Sequence, residues 1–103
     1  LLSLLARLSW EATKAGLPVS VCGEMAADPA CALFLAGIQV DALSMDSRYI
    51  PRTKILLRGY TLQELKEIAG GARKLATANE VNRYLHQNVR VPPEAERLFA
   101  GGR

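Results

Sequence analysis

The chain has 103 residues, of which 50% are hydrophobic and 22% are charged, and its net charge is +3. Such values are typical of one globular domain and exclude a disordered chain. No apolar run approaches the ~18 residues of a membrane-spanning helix, and the mild, interspersed positive charge argues against nucleic-acid binding.

The first predicted element is a helix over residues 1–15, because hydrophobic side chains recur there at helical spacing. Gly16 is its expected stop, since glycine adopts the left-handed conformation at low cost. The chain begins inside this pattern and without methionine, so we expect a segment of a longer protein. The apolar face of this helix is expected to contain Leu1, Leu4, Leu5, Leu8 and Ala12.

Two strands are predicted next, over residues 17–21 and 40–45, with a helix over residues 29–36 between them. Asp28 is the expected N-cap of that helix, Pro29 its first residue and Gly37 its stop. A strand-helix-strand unit implies a parallel sheet, and the nearly continuous apolar sequence of the first strand predicts burial on both faces.

The rest of the chain is predicted to be helical. One helix follows Pro51 through residue 57 with Gly59 as its stop, and the capping-box sequences at residues 61–64 and 77–80 predict two more, the second ending near Gln87. A short terminal helix is expected over residues 94–100, after Pro92 and Pro93. The fold class is therefore α/β, and since two strands are marginal alone, further strands are expected upstream.

Cys22 is the first candidate for chemistry. It ends the first strand and precedes Gly23, and α/β enzymes place reacting side chains at the carboxyl ends of parallel strands. From position alone, a small buried apolar role is equally open, and a redox thiol would show a depressed pKa. Cys22 and Cys31 fit neither a disulfide framework nor a zinc pattern, so both are expected to be thiols in a reducing cytoplasm.

Four blocks of sequence, with their spacings, carry a resemblance to a known family. The chain resembles, over about residues 1–90, the C-terminal end of phosphoenolpyruvate-protein phosphotransferase, which is Enzyme I of the sugar phosphotransferase system, or its nitrogen-related branch. Pyruvate phosphate dikinase and phosphoenolpyruvate synthase share the Cys-Gly-Glu block, whereas the Ser-Met and Ile-Pro-Arg-x-Lys blocks favour Enzyme I. The blocks are residues 21–29, 33–37, 43–45 and 50–54.

The resemblance implies that residues 1–103 are the C-terminal part of a phosphoenolpyruvate-binding (β/α)8 TIM barrel, with strands seven and eight at 17–21 and 40–44. It also implies that Cys22 is the acid that protonates the methylene carbon of enolpyruvate. Mg2+ is the implied cofactor, but its ligands and the phosphorylated histidine belong upstream, so no metal ligand is expected here. The implied partners are phosphoenolpyruvate and an HPr-like phosphocarrier protein, and the isolated segment is expected to be inactive.

Other polar residues near the strand ends are weaker candidates. Gly23 would let the backbone approach a ligand or turn after the strand, and Glu24 would orient the loop. Ser44 lies at the end of the second strand, where catalysis and helix capping are both open. Arg48 and Arg52 could reach an anion, although a solvated or salt-bridged role is favoured. His86 lacks the sequence context of a phosphoacceptor and is expected at the surface.

Two expectations concern partners. A non-catalytic alternative is a module that docks a protein on the apolar face of residues 62–76. Exposed strand edges also predict association into a homo-oligomer; the side chains expected to be buried by it are Val19, Val21, Val40 and Leu43.

Overall fold

Six α-helices and a two-stranded parallel sheet make up the described part of the chain, residues 2–93 and Arg97, in a computed structural model. The predicted helix over residues 94–100 lies outside the described residues, apart from Arg97. Within the described part, no helix is both long and apolar enough to cross a membrane. In chain order the elements are α1 (Leu2–Lys14), β1 (Ser20–Cys22), α2 (Glu24–Ala27), α3 (Pro29–Gly37), β2 (Ala42–Ser44), a 3-10 turn (Ser47–Tyr49), α4 (Ile50–Arg58), α5 (Leu62–Arg73) and α6 (Ala78–Gln87).

The sheet confirms the predicted parallel pairing, because Val21 lies beside Leu43 in a parallel register. Both strands are shorter than predicted. Pro18 has no N–H to donate to a neighbouring strand. The carbonyl of Val19 accepts a hydrogen bond from the N–H of Asp41 at 2.7 Å, but these two residues lie just before the paired part of the strands. The one-turn helix α2 was not predicted, since four residues are too few to show a helical period.

Helix α3 forms the centre of the core. Leu33, Phe34 and Leu35 are wholly buried, and consecutive helical residues point in different directions, so α3 must be surrounded. It contacts α2, α4, α5 and α6. The predicted start is confirmed, because the Asp28 carboxylate accepts the N–H of Ala30 at 3.0 Å and Pro29 is the first helical residue.

Both predicted capping boxes are present. Thr61 and Glu64 exchange side-chain and backbone hydrogen bonds at the start of α5, and Thr77 and Glu80 do the same at α6. The apolar stripe of α5 packs into the core against α3. The face proposed as a docking surface in the non-catalytic alternative is therefore largely occupied by the chain's own helix; its buried members are Leu65, Ile68, Ala69 and Ala72.

The predicted inner face of α1 is wrong in part. Leu4 and Leu8 are 55% and 56% exposed, whereas Ala6 and Ser9 are buried. The Ser9 hydroxyl donates to the carbonyl of Ile38 at 3.2 Å, which satisfies a buried polar group. Ala6 and Ser9, together with the half-buried Leu5, thus form the contact of α1 with the core, whereas Leu4 and Leu8 remain at the surface.

The predicted burial of β1 on both faces is also wrong for the described chain. Val21 and Leu43 are half-buried against the helical core, whereas their neighbours on both strands face outward. Since side chains alternate along a strand, the larger apolar residues lie on the inner face and the open face carries only small side chains. The four residues on the open face are Ser20, Cys22, Ala42 and Ser44.

Candidate active site at the carboxyl ends of the strands

Cys22 and Ser44 lie side by side as the last residues of β1 and β2. Both side chains are exposed on the open face of the sheet. A buried apolar role for Cys22 is therefore excluded within the described chain, because its thiol is free and exposed. The predicted position of Cys22 at a strand end is confirmed, and its proposed role as an acid stays a prediction.

Gly23 makes the turn that follows Cys22. Its φ of 95° and ψ of −162° lie in a region that is essentially restricted to glycine. A Cβ placed there would meet nothing within 4 Å, so the requirement for glycine comes from the backbone conformation and not from crowding. The Gly23 N–H donates to the carbonyl of Ser44 at 3.2 Å, which holds the two strand ends together.

A cleft of about 840 Å3 adjoins these strand ends, between the loop after β1, the 3-10 turn and α6. Its lining is mixed in charge. Acidic side chains come from Glu24, Asp28 and Asp46, while the basic ones come from Arg48 and Arg52. Glu24 is exposed and is the first residue of α2. Because of this position, its carboxylate interacts favourably with the positive end of that short helix.

Asp46 and Arg48 organise the turn after β2. The Asp46 carboxylate accepts the backbone N–H of Arg48 at 2.9 Å and the side-chain Nε at 3.2 Å. These contacts, the backbone hydrogen bond first, lower the pKa of Asp46 below its ordinary value. Asp46, and not Ser44, is the N-cap of the turn. Arg48 is exposed and ion-paired, which matches the favoured prediction for it.

Arg52, unlike Arg48, is buried. Its side chain is only 8% exposed, and Nη2 donates to the carbonyl of Ala27 at 2.9 Å. The guanidinium also lies 4.5 Å from the ring centroid of Tyr49. The next residue, Thr53, donates from its hydroxyl to the carbonyl of Tyr49 at 3.0 Å and lies 3.3 Å from the sulfur of Met45.

The sequence did not predict that residues of α4 hold the loops that follow β1 and β2. The sequence favoured a solvated or salt-bridged role for Arg52 and gave no sign that its Nη2 donates to a backbone carbonyl 25 residues away. The two loops after β1 and β2 are therefore both held from α4.

His86 is exposed on α6, as predicted, and its Nδ1 lies 2.8 Å from the carbonyl of Asn82. His86 also lines the cleft, and the sequence did not suggest that it would lie near the loops that follow the strands.

Cys31 is half-buried on α3, as expected for a packing residue. Its sulfur lies 3.7 Å from the Asp28 carboxylate. Burial, with a smaller contribution from Asp28, raises the pKa of the Cys31 thiol to about 11. Cys31 is therefore a poor candidate for a nucleophile or redox thiol. Like Cys22, it is a free cysteine, as predicted.

No group of three or more His, Cys, Asp or Glu side chains within residues 2–93 is arranged to hold a metal ion. The residues described here therefore do not fit a complete magnesium site.

Comparison with known proteins gives the class to which this α/β unit belongs. Residues 1–62 match the family described as PEP-utilising enzyme, PEP-binding domain. Because this match covers more than half of the 103 residues, the chain belongs to that family.

Similar proteins narrow the assignment to the phosphotransferases. The chain is 37% identical over 102 residues to a Salmonella typhimurium protein named phosphoenolpyruvate-dependent phosphotransferase system, covering 99% of this chain and 13% of that protein. It is 41% identical over 88 residues to the phosphoenolpyruvate-protein phosphotransferase of Borreliella burgdorferi, covering 85% and 15%. The Streptomyces coelicolor protein of the same name is 43% identical over 81 residues, covering 78% and 14%.

These matches confirm the resemblance drawn from the sequence. The chain spans only 13–15% of the length of these three relatives, so it corresponds to a segment of the phosphoenolpyruvate-binding domain of this family.

Proposed function

We propose that the complete protein transfers the phosphoryl group of phosphoenolpyruvate to one of its own histidines and then to an HPr-like phosphocarrier protein, with Cys22 as the proton donor to enolpyruvate. The observation that carries this proposal is the place of Cys22, exposed at the end of β1 beside Ser44. The names of the relatives support phosphoenolpyruvate as donor and a protein as acceptor.

The proposed chemistry balances in two steps. The bond between phosphorus and the enol oxygen of phosphoenolpyruvate breaks, and a bond from phosphorus to a histidine nitrogen forms, which leaves the enolate of pyruvate. The Cys22 thiol then gives its proton to the methylene carbon, which becomes the methyl group of pyruvate, and water reprotonates the thiolate. His86 is not proposed as the acceptor, because the family resemblance places the phosphorylated histidine upstream of this segment.

The remaining parts of the site would lie outside this chain. We propose that β1 and β2 are the last two strands of a (β/α)8 barrel, with their open face toward its interior. Both the small, exposed side chains of that face and the position of the loops at its carboxyl end support this arrangement. Mg2+, held by residues elsewhere in the protein, would supply charge stabilisation of the phosphoryl group.

Gly23 is proposed to contribute to substrate binding through its backbone. The glycine-specific turn leaves open space where a Cβ would be, so a ligand could approach the main chain at this position. This contribution is secondary to that of Cys22.

A homo-oligomer in the cytoplasm is also proposed, with a surface different from the one expected. Val19, Val21, Val40 and Leu43 are half-buried in the described chain, so they do not form the exposed patch that was predicted. Three of the exposed large apolar side chains, Leu4, Leu8 and Trp10, lie on α1. Light scattering of the complete protein tests association, and a strictly monomeric protein would contradict it.

The test of the proposed function is the Cys22→Ala variant of the complete protein. We expect the kcat for pyruvate formation from phosphoenolpyruvate to fall by roughly 10²- to 10⁴-fold, the usual contribution of a positioned acid. Cys31→Ala is the matched control and should keep its activity, since Cys31 lies on α3 away from the open face. Pyruvate formation by Cys22→Ala within twofold of the parent protein would exclude the acid role.

A further inference from the structure

Arg52 lies at a junction between the helix α4 and the loop that carries the candidate acid. Its Nη2 reaches the carbonyl of Ala27 at 2.9 Å. Ala27 is the last residue of α2, and α2 begins directly after the Cys22-Gly23 turn. The segment 22–27 thus begins with Cys22 and ends with Ala27. A contact at the Ala27 carbonyl therefore restrains the C-terminal end of this segment.

The environment makes this contact strong and specific. Arg52 is 8% exposed, and a hydrogen bond from a charged donor gains strength where water is excluded. The ring of Tyr49, with its centroid 4.5 Å from the guanidinium, restricts the plane of the group. Lysine carries a point charge and cannot reproduce a planar donor in this position.

The segment that Arg52 holds is short and depends on its neighbours: Ala26 and Ala27 are buried, and α2 contacts α3 and both strands. Helix α2 has only four residues, and no side chain caps its start at Gly23. Its other described ties to the sheet include the hydrogen bond from Gly23 to Ser44 at 3.2 Å. A helix of one turn is not stable by itself, so contacts from neighbouring elements must fix its position.

We propose that Arg52 is a positioning residue that sets the place of the Cys22 thiol by holding the end of α2. It acts through the Ala27 carbonyl and does not touch the reacting atoms. This inference rests on the proposed function in one respect, since positioning affects catalysis only if Cys22 is the proton donor. The effect on the loop itself does not depend on that function.

The first measurement is hydrogen–deuterium exchange in the complete protein with Arg52→Met, which keeps the stem but removes the charged fork, and with Arg52→Lys. We expect exchange in the peptide covering residues 23–28 to rise roughly tenfold in Arg52→Met and less in Arg52→Lys, while residues 62–73 of α5 keep their rates. Arg58→Met is the matched control, because Arg58 is an exposed arginine at the end of the same helix. Unchanged exchange at residues 23–28, or an equal rise throughout the protein, would overturn the proposal.

The second measurement separates positioning from a loss of folded protein. A displaced acid slows proton delivery, so we expect kcat for pyruvate formation to fall by roughly ten- to a hundredfold in Arg52→Met, with KM for phosphoenolpyruvate within about twofold. The solvent deuterium isotope effect on kcat should rise, which a smaller folded fraction would not cause, and Arg52→Lys should recover part of the rate. A lower kcat with an unchanged isotope effect would overturn the positioning role. If Cys22→Ala keeps full activity, the proposed function fails, and the exchange measurement still decides whether Arg52 holds the loop.

Discussion

The backbone of Gly37 in α3 lies against the carbonyl oxygen of Leu65 in α5. A Cβ at position 37 would overlap that oxygen and would also lie 2.8 Å from the Cβ of Ala69. The obstacle is backbone, which cannot rotate away as a side chain can. The two helices that form most of the core therefore meet at a point where only glycine fits.

This contact predicts opposite effects for two glycines. Gly37→Ala should lower the free energy of unfolding by about 2 kcal/mol or more, at the upper end of overpacking costs. Gly70→Ala is the matched control: Gly70 lies inside α5, and a Cβ added to it would meet nothing within 4 Å. It should raise the free energy of unfolding by about 0.5–1 kcal/mol, because alanine favours a helix interior. Urea unfolding measures both, and a neutral Gly37→Ala would contradict the close approach.

Gly23→Ala should destabilise the protein for a reason unrelated to space. Its φ of 95° is strained for any residue with a side chain, and such strain costs about 1–3 kcal/mol. Since the turn places Cys22, kcat for pyruvate formation should fall as well. Gly16→Ala is the control, because Gly16 also has a positive φ, 74°, but follows α1. It should lower stability and leave the kcat of the folded protein unchanged.

The two cysteines should react with iodoacetamide at very different rates. Burial raises the pKa of the Cys31 thiol to about 11, so very little of it is thiolate near pH 8.5, and Cys31 is also half-buried. We expect Cys22 to be modified first, as measured by peptide mass spectrometry. As a proton donor, Cys22 should react slowly near pH 6, whereas fast alkylation there would favour a redox thiol.

Asp28→Asn tests the cause of the high pKa of Cys31. Asparagine still caps a helix, but it removes the charge that adds to the effect of burial. The alkylation rate of Cys31 should rise, because its pKa falls, but it should stay below that of Cys22, since burial is the larger cause. An unchanged rate would mean that the carboxylate does not contribute.

Glu64 should make part of the stability dependent on pH. The N–H of Thr61, and then Arg90, hold the pKa of Glu64 below its ordinary value of 4.5. The unfolded chain therefore takes up a proton before the folded one, so this contribution is complete above about pH 4.5 and is lost as the pH falls through the lower folded value. Glu64→Gln keeps a capping side chain. The stability gap between it and the parent protein, measured by unfolding at several pH values, should close on acidification. A gap that widens on acidification would contradict this assignment.

Local signals in the sequence predicted much of the fold. Asp28 before Pro29, and the capping boxes at Thr61 and Thr77, place helix starts through contacts between near neighbours. Cys22 and Gly23 likewise indicate a strand end and a turn. These features were predictable because the residues that decide them are close in the chain.

Other features depend on which surfaces meet, and the sequence does not specify this. Periodicity predicted the leucines of α1 as its inner face, whereas α1 approaches the core through Ala6 and Ser9 and leaves Leu4 exposed. An amphipathic pattern shows that a helix has an apolar side but not how close its neighbour comes.

The sequence by itself therefore determined the order of the longer elements, the N-caps of α3, α5 and α6 and the family, and it singled out Cys22 as the proposed proton donor. Only the tertiary structure decided that Arg52 is buried and donates to the carbonyl of Ala27, and that the face with Cys22 and Ser44 is the open one. The physical reason is the separation along the chain of the residues that interact. Caps and turns depend on contacts between residues only a few positions apart. The direction of a buried guanidinium follows from the packing of α4 against a loop 25 residues away in the chain.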